Sequence, residues 1–498
     1  MTDQTSTIQN VSVEAQKPLV DPKSFIILLI GFVVFLAIYF SPPWSVAIDP
    51  TGKEFVLSQE GKAAIGLFLM AGIWWVFEVI PIGITSIAIG VFQVLFAIRP
   101  AKEAFRDFMD PSVMFIFGSM VVGLAFTKSG LTKRLAYKML TVAGENTNMI
   151  LLGTMVVTAA LAHLMAHTAA AATMFPILLA VYALYGEGEK QTNFGKSLFI
   201  GMAYTAGAAS TITFLGSARA PAAAGMYKEF TGNDIAFFDL PLYMFVIGWV
   251  MVFLIWLYLI TFLKPEKKEI VGLKDKVAKL SAALGSMTTR EKIVIMCVIF
   301  VVMLMAGQSF VPALKSIDRS ALILISTLLF FILGVLTVQD LEEIPWNIIL
   351  LFSGAMSIGF CLWKTGAAQW MAVEWLDMLK DAHWWVFVMG IAAFVLVMTN
   401  FIMNVAAIAI TLPVSLVIAQ YLGVAPEVVM YASLVTAGMP FVLLIGAAPN
   451  AIAYDSKQFT TGEFFKHGMA MSVILLVVLG IAIVTIWPLL GMPILVKP

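Results

Sequence analysis

The polar side chains able to do chemistry sit inside long apolar runs, beside prolines and glycines. His167-Thr168 stands ahead of Pro176, and Asn404-Val405 stands ahead of Pro413. Gly216-Ser217-Ala218-Arg219-Ala220-Pro221 has a counterpart in Gly446-Ala447-Ala448-Pro449-Asn450-Ala451, each followed by a Tyr and a Phe-Thr pair. Arg219 is a lone cation at membrane depth, and such a charge is a functional candidate because it is costly in hydrocarbon. A helix that starts at a break offers unpaired N–H groups and partial positive charge, while Thr168 and the Asn404 amide can donate hydrogen bonds. This chemistry holds an oxyanion. His163 and His167 have the i, i+4 spacing of metal ligands, but no acidic or sulfur residue sits near them, so no metal is expected. The apolar runs offer almost no aspartate, and His163-Leu-Met-Ala-His167 lacks the glutamate of a zinc protease. Neither an enzyme nor a cofactor is expected.

Hydropathy shows which elements must position these residues. The 498-residue chain is 61% hydrophobic and 12% charged, with a mean hydropathy of +0.96, against about 45–50% apolar and about 25% charged for soluble domains. The surrounding medium is therefore lipid. Thirty basic and thirty acidic residues cancel, which leaves no electrostatic footprint for nucleic acid. Cys297 and Cys361 both lie in apolar runs and form no disulfide framework. The pattern predicts an all-α polytopic membrane protein: about 11 transmembrane helices of ~20 residues plus two re-entrant hairpins.

Residues 1–24 read as a cytosolic tail, 25–263 as a first half, 264–291 as a basic connector and 292–498 as a second half. The Lys and Arg density of the connector predicts a cytoplasmic position in a cell (plasma) membrane, and the polar N-terminus, without the pattern of a secretory signal, is expected on the same side. Gly118, Gly123, Lys128 and Gly130 recur at the same spacing as Gly354, Gly359, Lys364 and Gly366, so the halves are repeats of one another. These glycine-interrupted runs predict re-entrant hairpins over about 106–130 and 345–366, and the prolines predict broken helices over about 149–185 and 384–422. An odd number of crossings between the halves would invert their topology.

Trp74-Trp75-Val76-Phe77-Glu78-Val79-Ile80-Pro81, the Lys-Ser-Gly and Lys-Thr-Gly endings, and Ala448-Pro449-Asn450-Ala451-Ile452 resemble the divalent anion/sodium symporter (DASS) family. The resemblance runs from about residue 25 to 490. It implies a homodimer whose protomers each have a scaffold domain and a mobile transport domain, carrying di- or tricarboxylate or sulfate by an elevator movement. Sodium-using members carry Ser-Asn-Thr ten residues ahead of a proline. Here those positions read Ala166-His167-Thr168 and Met403-Asn404-Val405, so only Thr168 and Asn404 match. The candidate substrate-binding residues are Ala166, His167, Thr168, Thr213, Gly216, Ser217, Met403, Asn404, Val405, Gly446, Ala447, Pro449 and Asn450, with His167 and Arg219 standing in for a cation.

Two clusters in pseudo-symmetric halves match the two carboxylates of a four- or five-carbon acid such as 2-oxoglutarate, malate, fumarate or succinate. Moving one charge against 100 mV costs about 2.3 kcal/mol, and a bare dianion about twice that. A fixed cation neutralises the dianion but returns with the protein, so it supplies no gradient. The expectation is therefore dicarboxylate exchange without sodium; the alternative is a sodium-coupled dicarboxylate or sulfate symporter.

Overall fold

With no water in the bilayer core, backbone N–H and C=O groups must pair within their own segment, so runs this apolar fold as helices. The computed structural model describes residues 22–48, 53–77, 79–187, 190–308, 311, 314, 317–379, 383–401 and 403–496. Glu78 and nearly all of the expected N-terminal tail lie outside the described residues. The first half comprises α1 (Pro22–Tyr39), α2 (Gln59–Val76), α3 (Ile82–Leu95), α4 (Ala101–Arg106), α5 (Pro111–Ser129), α6 (Leu131–Ala143), α7 (Thr147–Leu164), α8 (His167–Tyr185), α9 (Asn193–Ser210), α10 (Arg219–Thr231) and α11 (Asp239–Phe262). The connector carries α12 (Leu273–Ala283). The second half comprises α13 (Thr289–Gly307), α14 (Arg319–Ile332), α15 (Val338–Glu342), α16 (Trp346–Lys364), α17 (Ala367–Leu379), α18 (Trp384–Phe401), α19 (Asn404–Tyr421), α20 (Pro426–Ala437), α21 (Ala448–Tyr454) and α22 (Thr461–Ile481). Nine helices among the described residues are long and apolar enough to cross a membrane.

Contacts between segment ends fix the direction of each element. Thr147 N, opening α7, donates to Lys268 O at 2.9 Å, and Lys267 N donates to the Tyr185 hydroxyl at the end of α8 at 2.7 Å. Both arms therefore meet the connector, and α7 and α8 form a helical hairpin whose tip is Met165-Ala166. The second hairpin, α18–α19, starts and ends on the opposite side. There Val496 N donates to Gly423 O at 2.9 Å, and Trp487 Nε1 donates to Tyr243 O, near the start of α11, at 3.0 Å. The other end of α11 is held at the connector by Ser197 Oγ on Leu263 O, 3.2 Å.

The broken helices run in opposite senses too. α9 leaves the connector side and stops at Ser210, and α10 continues to the far side, where Glu229 pairs with Lys364. α20 leaves the far side, where Tyr227 hydrogen-bonds Glu427, and stops at Ala437; beyond α21, Lys457 O accepts from Gln191 on the connector side. The halves are thus inverted repeats.

Two sequence expectations change. Residues 106–130 and 345–366 are not hairpins, because α5 and α16 run unbroken through their glycines. Those glycines allow close packing: a Cβ on Gly118 would lie 2.8 Å from the Ile323 side chain, and one on Gly354 2.4 Å from Ser86. Residues 149–185 and 384–422 hold the hairpins instead. Pro176 and Pro413 sit inside α8 and α19 without ending them, since a buried helix tolerates the lost bond when its neighbours enclose it. Gly130 and Gly366, at φ +85° and +74°, cap α5 and α16. Lys128 ion-pairs with Asp340 at 2.9 Å, and that ammonium holds the Asp340 carboxyl down to about 2.

Inverted hairpins predict opposite accessibility. In a protein with Cys297 and Cys361 replaced, a cysteine at Lys190 should react with an impermeant maleimide from one face of oriented vesicles, and a cysteine at Gln420 from the other. Labelling of both from one face would contradict the inversion.

Candidate functional site

Each hairpin tip is tied to the loop of its own half. In the first half Thr213 Oγ1 donates to His163 O at 2.7 Å and accepts from Gly216 N at 3.0 Å, while His167 N donates to Gly216 O at 3.3 Å. Gly216 has to be glycine, because a Cβ there would stand 1.9 Å from Ala162 O. In the second half Asn400 Oδ1 accepts from Val442 N (2.8 Å) and Leu443 N (3.1 Å), and Asn450 Nδ2 donates to Pro440 O (2.7 Å) and Leu443 O (3.0 Å). The last turns of α9 also meet the second break: a Cβ on Gly207 would lie 2.9 Å from Gly438 O.

Between tips and loops lies a cavity of about 280 Å³. The first tip contributes Ala166, His167 and Thr168; the second contributes Met403, Asn404 and Val405. The loops add Arg219, Gly446 and Ala447. The cavity extends past Thr127 to Glu343 and Pro345, at the connector-side ends of α5 and α16. Three helices, α8, α10 and α19, begin at this cavity with no side-chain cap on their first N–H groups. Helix N-termini without side-chain caps attract anions, and in α8 the His167 N–H is already given to Gly216 O.

Arg219 supplies the formal charge. It is 2% exposed, and its Nη2 donates to Ser210 Oγ at 3.0 Å. Among the described residues no carboxylate lies within 4.0 Å of it. A buried guanidinium without an acid is strongly destabilising unless a counter-charge arrives. The guanidinium lies against the backbone of the opposite loop, where a Cβ on Gly438 would fall 2.3 Å from Nη2. Arg219 therefore links the two breaks.

The sequence-derived residues divide by role. Thr213, Gly216 and Asn450 brace the loops by the bonds above rather than lining the cavity. Pro449 is buried in the first turn of α21, and Ser217 is buried with no hydrogen-bond partner for its hydroxyl. His163 and His167 do not share a helix face, because the chain breaks between them. His163 Nδ1 turns to Ala209 O at 3.0 Å, while His167 faces the cavity with its Nδ1 unpartnered. Thr399 and Asn400 were missed, although a Thr-Asn pair inside an apolar run is the kind of signal that singled out Asn404.

Residues 23–493 match the family described as the sodium:sulfate symporter transmembrane region. A protein of Staphylococcus saprophyticus named sodium-dependent dicarboxylate transporter SdcS is 24% identical over 454 residues, 87% of each chain. Its namesake in Staphylococcus aureus (strain MRSA252) is 25% identical over 455 residues, again 87% of each. Two solved structures share the fold at low identity. MtrF of Neisseria gonorrhoeae, described within a class of antimetabolite efflux pumps, aligns with a TM-score of 0.59 at 15% identity, covering 95% of this chain and 96% of that one. The YdaH transporter of Alcanivorax borkumensis aligns with a TM-score of 0.53 at 12% identity, covering 94% and 97%.

Removing the brace of the second loop should be costly. Asn400→Ala leaves two backbone N–H groups unpaired, each worth about 1–3 kcal/mol. Thermal unfolding in detergent should shift down by several degrees; an unchanged midpoint would show that the loop holds without Asn400.

Proposed function

This chain belongs to the sodium:sulfate symporter transmembrane family, and from that premise we propose that it is a secondary carrier exchanging C4/C5 dicarboxylates across the plasma membrane without sodium. It is a transport protein, not an enzyme. The observation that carries the reading is Arg219, a buried cation with no acid beside it among the described residues, at the meeting point of both breaks. The SdcS relatives, named as dicarboxylate transporters, support dicarboxylate as the cargo.

One carboxylate is held by Arg219 with the start of α8 and Thr168, and the other by the open start of α19. Since Arg219 cannot leave, it cancels one of the dianion's two charges and the helix starts offset part of the other, while the empty site carries a buried positive charge. Crossing in the empty form is then disfavoured, and each inward passage must be matched by an outward one. His167, Met403 and Val405 replace residues that would give a sodium ion hard oxygen ligands. The basic connector favours a cytoplasmic position, which makes the cavity inward-facing and puts the N-terminus inside. Passage to the other side uses the family's elevator movement within a homodimer.

Sodium-coupled symport is the second reading, favoured by the same relatives' name. Proteoliposomes loaded with unlabelled dicarboxylate separate the two. Uptake of labelled dicarboxylate should proceed at full rate with choline in place of sodium, and Arg219→Ala should lower it at least ~10-fold, the scale of one lost charged contact. Uptake abolished in choline would defeat exchange without sodium.

A further inference from the structure

The repeat carries two lysines at matching positions, Lys128 and Lys364, in the last turns of the unbroken α5 and α16. Inversion puts them at opposite ends of the protein, and their partners differ in kind. Lys128, next to Thr127 at the connector-side mouth of the cavity, pairs with acids just ahead of the other unbroken helix: Asp340 at 2.9 Å and Glu343 at 2.5 Å. Lys364, on the far side, reaches across to Glu229 in the last turn of α10, the second half of a broken helix. Arg319 at the start of α14 makes a second pair of this kind with Asp234, just beyond α10. Where the cavity is open, the lysine holds its own kind of helix; where it is shut, the lysine holds a broken one. Each lysine also has the other's type of partner within reach of its repeat. Asp110, directly ahead of α5, lines a cavity of about 210 Å³ together with Lys364 and Glu229. Asp455 follows Tyr454 at the end of α21, much as Glu229 follows Tyr227 in α10, and it is exposed. Neither Asp110 nor Asp455 is in an ion pair among the described residues.

We infer that Lys128 and Lys364 form a reciprocal latch between the two facing states. With the connector-side mouth open, Lys364 holds α10 by Glu229. With the far side open, Lys128 takes Asp455 on α21, and Lys364 falls back on Asp110. The inference rests on the alternation between faces in the reading above and not on its cargo. Inverted repeats make the exchange symmetric: what the second half does at the far side in one state, the first half does at the connector side in the other. The side chains of Lys364 and Glu229 are 46% and 35% exposed, so one such pair biases a two-state balance by no more than about fivefold. That is weak enough to break at each crossing. Because one pair forms as the other parts, neither facing state becomes a trap, and cargo can be taken up from both sides.

The test traps the second pairing in the full-length protein with Cys297 and Cys361 replaced. Lys128→Cys and Asp455→Cys together should give a disulfide on copper-phenanthroline oxidation, which requires Cβ atoms about 3.5–4.5 Å apart. The disulfide should stop dicarboxylate exchange until a reductant is added. Adding Glu229→Gln releases the far-side pair and should speed cross-linking about two- to fivefold. Glu229→Lys with Lys364→Glu restores that pair with its signs reversed, and cross-linking should return to the starting rate. Absence of the disulfide in a double-cysteine protein that exchanges dicarboxylate overturns the inference. So does a cross-linking rate that Glu229→Gln leaves unchanged, and so does a reversed pair that cross-links as fast as Glu229→Gln. Uptake lost in choline beside a disulfide that forms and responds as described would defeat exchange without sodium while supporting the latch.

Discussion

A buried guanidinium with no acid beside it among the described residues is the constraint on which this molecule turns. Removing a cation from water costs several kcal/mol even after relaxation, and Arg219 Nη2 donates to the Ser210 hydroxyl and lies against the Gly438 backbone. The helix starts at the same cavity add partial positive charge instead of relieving it. Charge, dipoles and unpaired N–H groups therefore all call for an anion, and the cavity gives it room.

The inverted repeat makes such a place possible. A continuous helix would carry its polar backbone groups through the bilayer already paired and present nothing to cargo. Two hairpins entering from opposite sides, and two broken helices crossing in opposite senses, bring their interruptions to one depth. Neighbouring loops then satisfy the backbone groups that the cavity does not use: Asn400 and Asn450 do this in the second half and Thr213 in the first. Small residues at the crossings, Gly207 of α9 against Gly438 and Gly216 against Ala162 of α7, let helices and breaks pack closely. The same packing seats the guanidinium against the opposite break, and under the proposed exchange its charge stays with the protein.

Much of this was legible in the sequence. The repeat and the polar residues beside prolines identified both tips and both loops, because polar groups inside apolar runs are rare. The placement of the hairpins was not legible. Glycines in α5 and α16 have the spacing of breaks, yet their role is to admit Ile323 and Ser86, and close approach of another helix leaves no mark in the local sequence. Prolines pointed to broken helices where α8 and α19 in fact run on, since the neighbours that excuse a lost hydrogen bond come from distant segments. Thr399 was passed over because its partner, the Ala437 carbonyl, is far from it in the chain and meets it only in the folded protein.

The central claim, that a fixed cation replaces a travelling one, is tested most directly by the charge moved per turnover. With a valinomycin-set potassium diffusion potential across proteoliposomes holding the same dicarboxylate on both sides, each net charge carried would tilt the distribution by about 2.3 kcal/mol per 100 mV. Equal-charge exchange predicts a distribution of labelled dicarboxylate that does not respond to the imposed potential. A distribution that follows the potential, in step with the sodium gradient, would contradict it.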